Sequence, residues 1–232
     1  MLEHGQWPQA EPVLLRTLAK AEKEGNHKEQ TKTIILLAEL CQNRGDLPES
    51  HGLLQQALGL AEQIGNRRLQ GEIFSRIGST YSLQSQYPQA IAHYQKALEI
   101  GEALENEQGL AATYANLSAV YSEQGDIDRA IEMHEKGLAL FLKLGDEHRA
   151  AQFYNNLGNF YKEQGYLDQA VEMLHKGLKI SERLSLDATS AALYGNLGNI
   201  CGEPNQAIRM YKKSLEIMQR IGDQPGVARR WV

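Results

Sequence analysis

A sequence pattern that repeats every 40 residues limits the folds that this chain can adopt. The stretch YANLSAVYSEQGDIDRA, which starts at Tyr114, aligns without a gap with YNNLGNFYKEQGYLDQA, which starts at Tyr154. The same pattern recurs along nearly all of the 232 residues. A fixed period of this length is typical of repeat proteins, in which each unit packs against its neighbours and all units share one continuous core.

Each period begins with a group of apolar and small residues at helical spacing. A large apolar residue is followed after three positions by Leu or Ile, then directly by a small residue, and after three more positions by Tyr or Cys. In the fourth full period these residues are Tyr154, Leu157, Gly158 and Tyr161. Gly in mid-helix costs about 1 kcal/mol of helix propensity. We therefore expect Gly158 to allow a paired helix to approach closely.

A second group of positions in each period predicts a second helix. The group begins with Ala or Ser. Four residues later comes a position that is usually Leu or Tyr, and four residues after that every period has Leu. His134 is an exception at the middle position. The invariant residues are Leu18, Leu58, Leu98, Leu138, Leu178 and Leu215. Each period is thus predicted to form two helices, and the fold to be all-α.

Gly, Asp and Asn mark the predicted helix ends. Gly can adopt the left-handed conformation that ends a helix, and Asp can cap the next one, as in Gly45-Asp46 and Gly125-Asp126. Ser85 stands where such a Gly is expected. Helices are predicted at residues 8–24, 27–43, 47–64, 67–83, 87–104, 107–123, 127–144, 147–163, 167–184, 188–201 and 205–221.

The last turn is shorter than the others. Three residues are missing between Cys201 and Ala207, and Pro204 stands where other periods carry a helix end or turn. Because the residue before Pro disfavours helical geometry, the preceding helix is predicted to stop near Cys201. The last helix pair is predicted to pack at an altered angle.

The string Tyr154-x2-Leu157-Gly158-x2-Tyr161, followed by Ala170-x3-Leu174, resembles the tetratricopeptide repeat signature. The 40-residue spacing and the NLGN strings at 156–159 and 196–199 are similar to the subclass of Pins/LGN and kinesin light chains. HEAT and armadillo arrays, which share the period but lack the Leu-small-aromatic spacing, remain the second choice.

The resemblance implies a single α-solenoid of antiparallel helix pairs, wound as a right-handed superhelix, over residues 1–232. Its expected parts are a half-repeat at 1–25, repeats at about 26–65, 66–105, 106–145, 146–185 and 186–222, and a partial repeat at 223–232.

Charge and composition argue against several functional classes. The chain has 24 basic and 29 acidic residues, with no basic run longer than a pair, whereas nucleic-acid-binding surfaces normally show a basic stripe. No apolar run approaches the roughly 18 residues that span a membrane. The seven His residues share no repeat position, and no metal or phosphate motif is present. We therefore predict no nucleic-acid or membrane partner, no cofactor, no metal and no enzymatic activity.

The two cysteines, Cys41 and Cys201, occupy the same repeat position four units apart. A disulfide is sterically implausible at that separation. They are predicted to be buried free thiols, which are typical of a reducing compartment. The expected location is therefore cytoplasmic.

In tetratricopeptide proteins the first helix of each repeat lines a concave groove that holds a protein or peptide. The resemblance implies that eight polar residues point into it: Arg76, Asn116, Asn155, Asn156, Asn159, Lys162, Asn196 and Asn199. The family's carboxylate clamp is not matched, because its leading Lys position reads Ser75, Ala115 and Asn155. Capture of a C-terminal carboxylate by that geometry is therefore not expected.

Asn116, Asn156 and Asn196 share one repeat position. Their amides can donate to and accept from an extended peptide backbone. They can equally bind the neighbouring repeat and hold the angle between repeats. Both roles remain open at this point.

Three functions are consistent with these features. The first is a non-catalytic scaffold that binds a peptide or helix in its groove, and the second is a regulatory or sensor module of a larger signalling protein. The third is an array that assembles end to end. It follows from the phase of the pattern, which begins and ends within first helices and places Trp231 in the aromatic position. Such ends suggest a fragment of a longer array, or stacking on another copy.

Overall fold

This computed structural model describes residues 7–222, which form eleven α-helices joined by short turns, with no strand in that range. The helices are α1 (Trp7–Lys23), α2 (His27–Arg44), α3 (Leu47–Gln63), α4 (Arg67–Leu83), α5 (Tyr87–Ala103), α6 (Glu107–Glu123), α7 (Ile127–Lys143), α8 (Glu147–Glu163), α9 (Leu167–Arg183), α10 (Asp187–Ile200) and α11 (Pro204–Gly222). The all-α prediction is confirmed, and every helix end lies within one residue of its predicted position. The expected partial repeat at 223–232, with Trp231, lies outside the described residues, as do residues 1–6.

Left-handed residues end the helices at intervals of 20 residues from position 25 to position 185. Six of these nine residues are Gly, which adopts that conformation readily. Ser85, Glu105 and Ser185 adopt it as well, with φ of 57°, 51° and 54°. Ser85 therefore replaces the expected Gly without changing the turn.

Hydrogen bonds close each turn locally. At the first turn the backbone N–H of Asn26 donates to the carbonyl of Ala21 at 2.9 Å, a bond typical of left-handed helix ends. Side chains then cap the next helix. Asp46 Oδ1, for example, accepts from the N–H of Glu49 at 3.2 Å, as its sequence position predicted.

The chain divides into two compact units, with the boundary between Val120 and Tyr121. In unit 1, α2 pairs with α3 and α4 pairs with α5. In unit 2, α8 pairs with α9 and α10 pairs with α11. Consecutive pairs also contact each other within a unit, α3 against α4 and α9 against α10. The fold is therefore a solenoid-type stack of antiparallel helix pairs.

The repeated apolar positions form the core. The Leu or Ile position of every first helix is buried, namely Leu37, Ile77, Leu117, Leu157 and Leu197. At Gly158, a Cβ atom would lie only 2.6 Å from Cγ of Leu174, which is fully buried. The predicted close approach of paired helices at Gly158 is confirmed.

His134 is buried in the core of unit 2, with 4% of its surface exposed. Its ring stacks on Phe153 at a centroid distance of 3.9 Å and meets the edge of Phe160 at 5.5 Å. Burial lowers the pKa of His134 to about 4, because the protonated ring would be poorly solvated there. The residue therefore serves as a neutral aromatic core residue at ordinary pH.

The shortened turn ends α10 at Ile200, as predicted, and α11 begins at Pro204. Cys201 is extended and only half-buried, so the prediction of two buried thiols is wrong for this residue. The reason is that α10 ends before Cys201, which removes its side chain from the helix face that buries Cys41 in α2. Both cysteines are free thiols. The altered angle of the last pair stays a prediction.

Candidate functional site

The eight predicted binding residues lie on four first helices. Arg76 is on α4 and Asn116 is on α6, both in unit 1. The other six lie in unit 2: Asn155, Asn156, Asn159 and Lys162 on α8, and Asn196 and Asn199 on α10. Each unit thus gathers its own set of polar side chains, and their hydrogen bonds show which polar groups the protein itself uses.

Arg76 is engaged by two carboxylates. Its guanidinium contacts Glu39 of α2 at 2.9 Å and Glu72, one turn back on α4, at 3.3 Å. The Arg76 side chain is 29% exposed, so such contacts contribute modestly, on the order of 1 kcal/mol or less. Arg76 therefore links neighbouring first helices of unit 1 and is largely neutralised.

Two of the three aligned asparagines bind the preceding first helix. Asn116 Nδ2 donates to Ser75 Oγ at 3.4 Å in unit 1, and Asn196 Nδ2 donates to Asn155 Oδ1 at 2.9 Å in unit 2. Both bonds join residues 41 positions apart. They match the structural alternative, in which these amides hold neighbouring repeats together.

A second set of bonds joins the two helices of one repeat. Ser79 hydrogen-bonds the Tyr94 hydroxyl at 3.0 Å, and the Tyr211 hydroxyl donates to Asn199 Oδ1 at 2.7 Å. Asn159 occupies the aligned position on α8. The residue aligned with the two tyrosines is there Leu174, which has no hydroxyl.

Asn159 consequently has a carbonyl oxygen that is buried and finds no hydrogen-bond partner among the described residues. Leaving such a group unpaired costs about 1–3 kcal/mol. Because this oxygen is buried, a ligand would reach it only if the Asn159 side chain turned outward, and a hydrogen bond made there would recover part of that cost. The sequence indicates this unpaired oxygen only through a combination of two repeat positions, namely Asn159 on the first helix and Leu174, in place of Tyr, on the second.

Asn156 and Lys162 lie one turn to either side of Asn159 on α8. Asn156 is exposed and Lys162 is half-buried. The structure gives neither side chain a hydrogen bond or ion pair with another described residue. Asn156, Asn159 and Lys162 therefore form a row with unused polar groups, which we call the α8 polar face.

Metal binding and membrane insertion are two other roles that residues 7–222 could have. No group of His, Cys, Asp and Glu in that range is arranged to hold a metal ion. None of the helices there is both long and apolar enough to cross a bilayer.

The chain matches the tetratricopeptide repeat family over residues 69–143 and 149–220. No curated protein matches it significantly in sequence. Among solved structures, BtubC (BKLC) from P. vanneervenii is 24% identical, with a TM-score of 0.77 over 92% of this chain and 89% of that one.

Two further structures have the same fold. The kinesin light chain repeats of Podosopora anserina are 18% identical, with a TM-score of 0.70 over 84% of this chain and 98% of that one. A signal transduction ATPase with a tetratricopeptide repeat sensor, from Pyrococcus horikoshii, is 18% identical, with a TM-score of 0.72 over 90% of this chain and 30% of that one. At these identities the similarity establishes the fold alone.

Proposed function

Because the chain belongs to the tetratricopeptide repeat family, we propose that it is a non-catalytic scaffold that binds a peptide segment of a protein partner along its first helices. The observation that carries this proposal is the α8 polar face, where Asn156, Asn159 and Lys162 have polar groups that the protein does not use. An extended or helical segment presents N–H and C=O groups or polar side chains, which Asn amides can both accept from and donate to.

The other predicted binding residues have a supporting role in this proposal. Asn196, Asn155 and Asn116 hold neighbouring first helices in place, and Arg76 does the same through Glu39. A fixed spacing of helices lowers the ordering cost that a peptide would otherwise meet on binding. We also place the protein in the cytoplasm, because both cysteines are free thiols.

Two aligned asparagines, Asn156 and Asn196, are expected to differ in their effects on binding and on stability. Asn156→Ala is expected to weaken partner binding about 5–30-fold, which corresponds to roughly 1–2 kcal/mol, and to leave the melting temperature nearly unchanged. Asn196→Ala removes the 2.9 Å bond to Asn155 and is expected to lower the free energy of unfolding by about 1 kcal/mol. The partner is first identified by photo-crosslinking from position 156, and its affinity is then measured by calorimetry.

A crosslinker at Lys179, exposed on the second helix α9, provides the control. A partner captured equally well from both positions would argue against binding along the first helices. Equal loss of binding and stability in Asn156→Ala would assign Asn156 a structural role instead.

A regulatory or sensor module would use the same α8 polar face, with the ligand shifting an attached effector domain. The Pyrococcus horikoshii protein combines a repeat sensor with further domains, but the similarity extends to the fold alone. The sequence of the full-length protein would distinguish this alternative from a simple scaffold.

Self-association is a second candidate, and it rests on α11. Four large apolar residues lie on one face of this helix and are exposed: Ile208 at 49%, Tyr211 at 44%, Leu215 at 57% and Met218 at 44%. The aligned residues of α9 are covered by α10, with Leu174 at 0% and Leu178 at 7%. The exposed face thus continues an interface that is already formed one repeat earlier, and a helix of a second copy would cover it.

Leu215→Glu is expected to abolish this self-association, because a buried carboxylate without a partner is costly. Light scattering should show a mass that rises with concentration for the unaltered chain and stays constant for the variant. Gln219→Glu, which adds the same charge at an exposed position of α11, is the control. A constant monomer mass for the unaltered chain would remove this candidate.

A further inference from the structure

Consecutive repeats meet at a pair of positions nine residues apart, one on a second helix and one on the following first helix. Within the described residues there are five such pairs, and in four of them one large side chain fills the junction. These pairs are Ala21 with Gln30, Ala61 with Gln70, Gly101 with Leu110, and Phe141 with Ala150. The fifth pair, Ser181 with Ser190, contains no large side chain.

The filling is visible in the contacts. Gln30 reaches across to donate to the carbonyl of Ala21 at 3.1 Å. Leu110 lies so close to Gly101 that a Cβ atom there would meet it at 2.8 Å. Phe141 is only 2% exposed. In each of these junctions, a small residue at one position is therefore accompanied by a large residue at the other.

The serine pair lies beside a cavity. Ser190 donates to Ser181 Oγ at 2.8 Å, and both residues are buried, with 4% and 0% exposed. Ser190 lines a cavity of about 370 Å³ that lies between α9, α10 and α11 and is open to solvent. Cavities of roughly 300–1,000 Å³ are the usual size of small-molecule sites. We call this cavity the Ser190 pocket.

The cationic groups of the Ser190 pocket are already paired. Arg220 contacts Asp187 at 2.5 Å. Lys213 Nζ donates to the Tyr194 hydroxyl at 3.2 Å and lies 4.8 Å over its ring. The same hydroxyl donates to Glu182 at 2.5 Å. An anionic ligand would therefore find no unpaired cation in the wall.

The carboxylates of the pocket outnumber its cations. Glu182, Asp187 and Glu216 face two cationic side chains. Glu216 makes no direct ion pair with any residue between 10 and 222, but it lies near Lys213. The pKa of Lys213 is raised, first by its hydrogen bond to Tyr194 and further by the nearby carboxylates of Glu182 and Glu216. The wall thus carries a net negative charge, and Glu216 is the one carboxylate in it without a direct ion pair or hydrogen bond to a residue in that range. Such a wall favours a ligand with a positive charge.

The preceding junction in unit 2 lacks the small residue at position 181 and the carboxylates of Glu182 and Glu216. The residues aligned with Ser181, Glu182 and Glu216 are Phe141, Leu142 and Lys179. That junction therefore has a large aromatic residue in place of Ser181 and lacks both carboxylates. One ion pair of the pocket does recur at the preceding junction. Arg183 pairs with Glu147 at 2.7 Å, as the aligned Arg220 pairs with Asp187.

The Ser190 pocket opens on a different side of α10 from the proposed peptide-binding residues. Ser190 and Tyr194 lie on one side of the helix. At 100° per residue, Asn196 and Asn199 point roughly 140–160° away from Tyr194. A ligand in the pocket would therefore leave the side of α10 that carries Asn196 and Asn199 accessible.

We propose that the Ser190 pocket binds an organic cation, either the side chain of an arginine or lysine of a partner or a free amine of similar size. The cationic head lies against Glu216, where a guanidinium can donate to both oxygens of one carboxylate. Its alkyl stem packs against Ile217, which also lines the pocket. This site is independent of peptide binding at the α8 polar face.

Titration with agmatine, an alkyl guanidinium, tests the proposal by calorimetry or NMR. The chain should bind agmatine, and the affinity should fall as salt is raised. Glu216→Lys, which introduces the residue aligned at position 179, should weaken binding at least about tenfold. Ser181→Phe, which restores the aligned Phe, should abolish it. Glu163→Lys, the same charge change at an exposed position of α8, is the control and should have little effect.

The absence of agmatine binding at about 10 mM, or binding that both pocket variants leave unchanged, would overturn the proposal. Binding of inorganic phosphate in place of agmatine would overturn it as well.

A capped peptide Ala-Arg-Ala distinguishes the two sources of the cation. Tighter binding of the peptide indicates a partner side chain, and tighter binding of agmatine indicates a free amine. Asn156→Ala should leave agmatine binding unchanged, so failure at either site leaves the other testable.

Discussion

Replacement of Gly158 by Ala is expected to lower the free energy of unfolding by about 1–3 kcal/mol, although Ala ordinarily favours a helix over Gly by about 1 kcal/mol. The added Cβ would lie 2.6 Å from both Cγ and Cδ2 of Leu174, and 3.3 Å from the carbonyl oxygen of Ala170. Leu174 is fully buried and cannot rotate into solvent. The paired helices α8 and α9 would have to separate. Urea unfolding followed by circular dichroism measures the loss.

Two other glycines provide matched controls for Gly158→Ala. Gly59 on α3 has no atom within 4 Å of the added Cβ, so Gly59→Ala should stabilise by up to about 1 kcal/mol. Gly198 would meet the Tyr211 ring at 2.8 Å, but Tyr211 is 44% exposed and can swing outward. Gly198→Ala should therefore be close to neutral. Equal destabilisation by Gly158→Ala and Gly198→Ala would show that burial of the contacted side chain does not decide the cost.

Replacement of His134 by Leu is expected to stabilise unit 2 at mildly acidic pH and to remove part of the pH dependence of folding. Two other repeats have a fully buried Leu at the position of His134, namely Leu54 and Leu174, so this position can accommodate Leu. The folded-state pKa of His134 is lowered to about 4, because burial disfavours the charged ring. Between that pH and the ordinary pKa of 6.5, the unfolded chain therefore binds more protons than the folded chain.

The sign of the effect follows from that difference. Stability from His134 is fully present above about pH 6.5, falls as the pH is lowered, and reaches its minimum near pH 4, where roughly 3 kcal/mol has been lost. His134→Leu should be more resistant to unfolding at pH 4.5 than the unaltered chain by an amount that vanishes above pH 7. His175→Leu, at an exposed position of α9, is the control. Parallel stability curves for the His134 variant and the unaltered chain from pH 7 to pH 4.5 would contradict the prediction.

The helices could be predicted from the sequence because the signals that bound them are local. Gly45 and Asp46, for example, end one helix and cap the next within a few residues. Cys201 shows the limit of this reasoning. Its repeat position predicted burial, but the early end of α10 placed it in a turn.

The candidate site was harder to predict, because the role of each amide depends on a side chain from another helix. Asn196 and Asn156 are equivalent in the repeat pattern, yet only Asn196 has a bond to a neighbouring first helix. Asn159 differs from Asn199 because the second helix offers Leu174 instead of a tyrosine. The Ser190 pocket likewise lies beside two small residues that belong to different helices, and neither repeat position alone indicates a cavity.

The locally closed turns also confine the consequences of insertions and deletions. The connection after Cys201 is three residues shorter than its counterparts, yet α10 and α11 keep the close contact of Gly198 with Tyr211. Ser214 also donates to the carbonyl of Ala191 at 2.8 Å across the same pair. A change in loop length therefore leaves the helix interface intact, since the hydrogen bonds of this turn join residues that are close in sequence. A chain built in this way can gain or lose whole repeats by duplication or deletion without redesign of the remaining core.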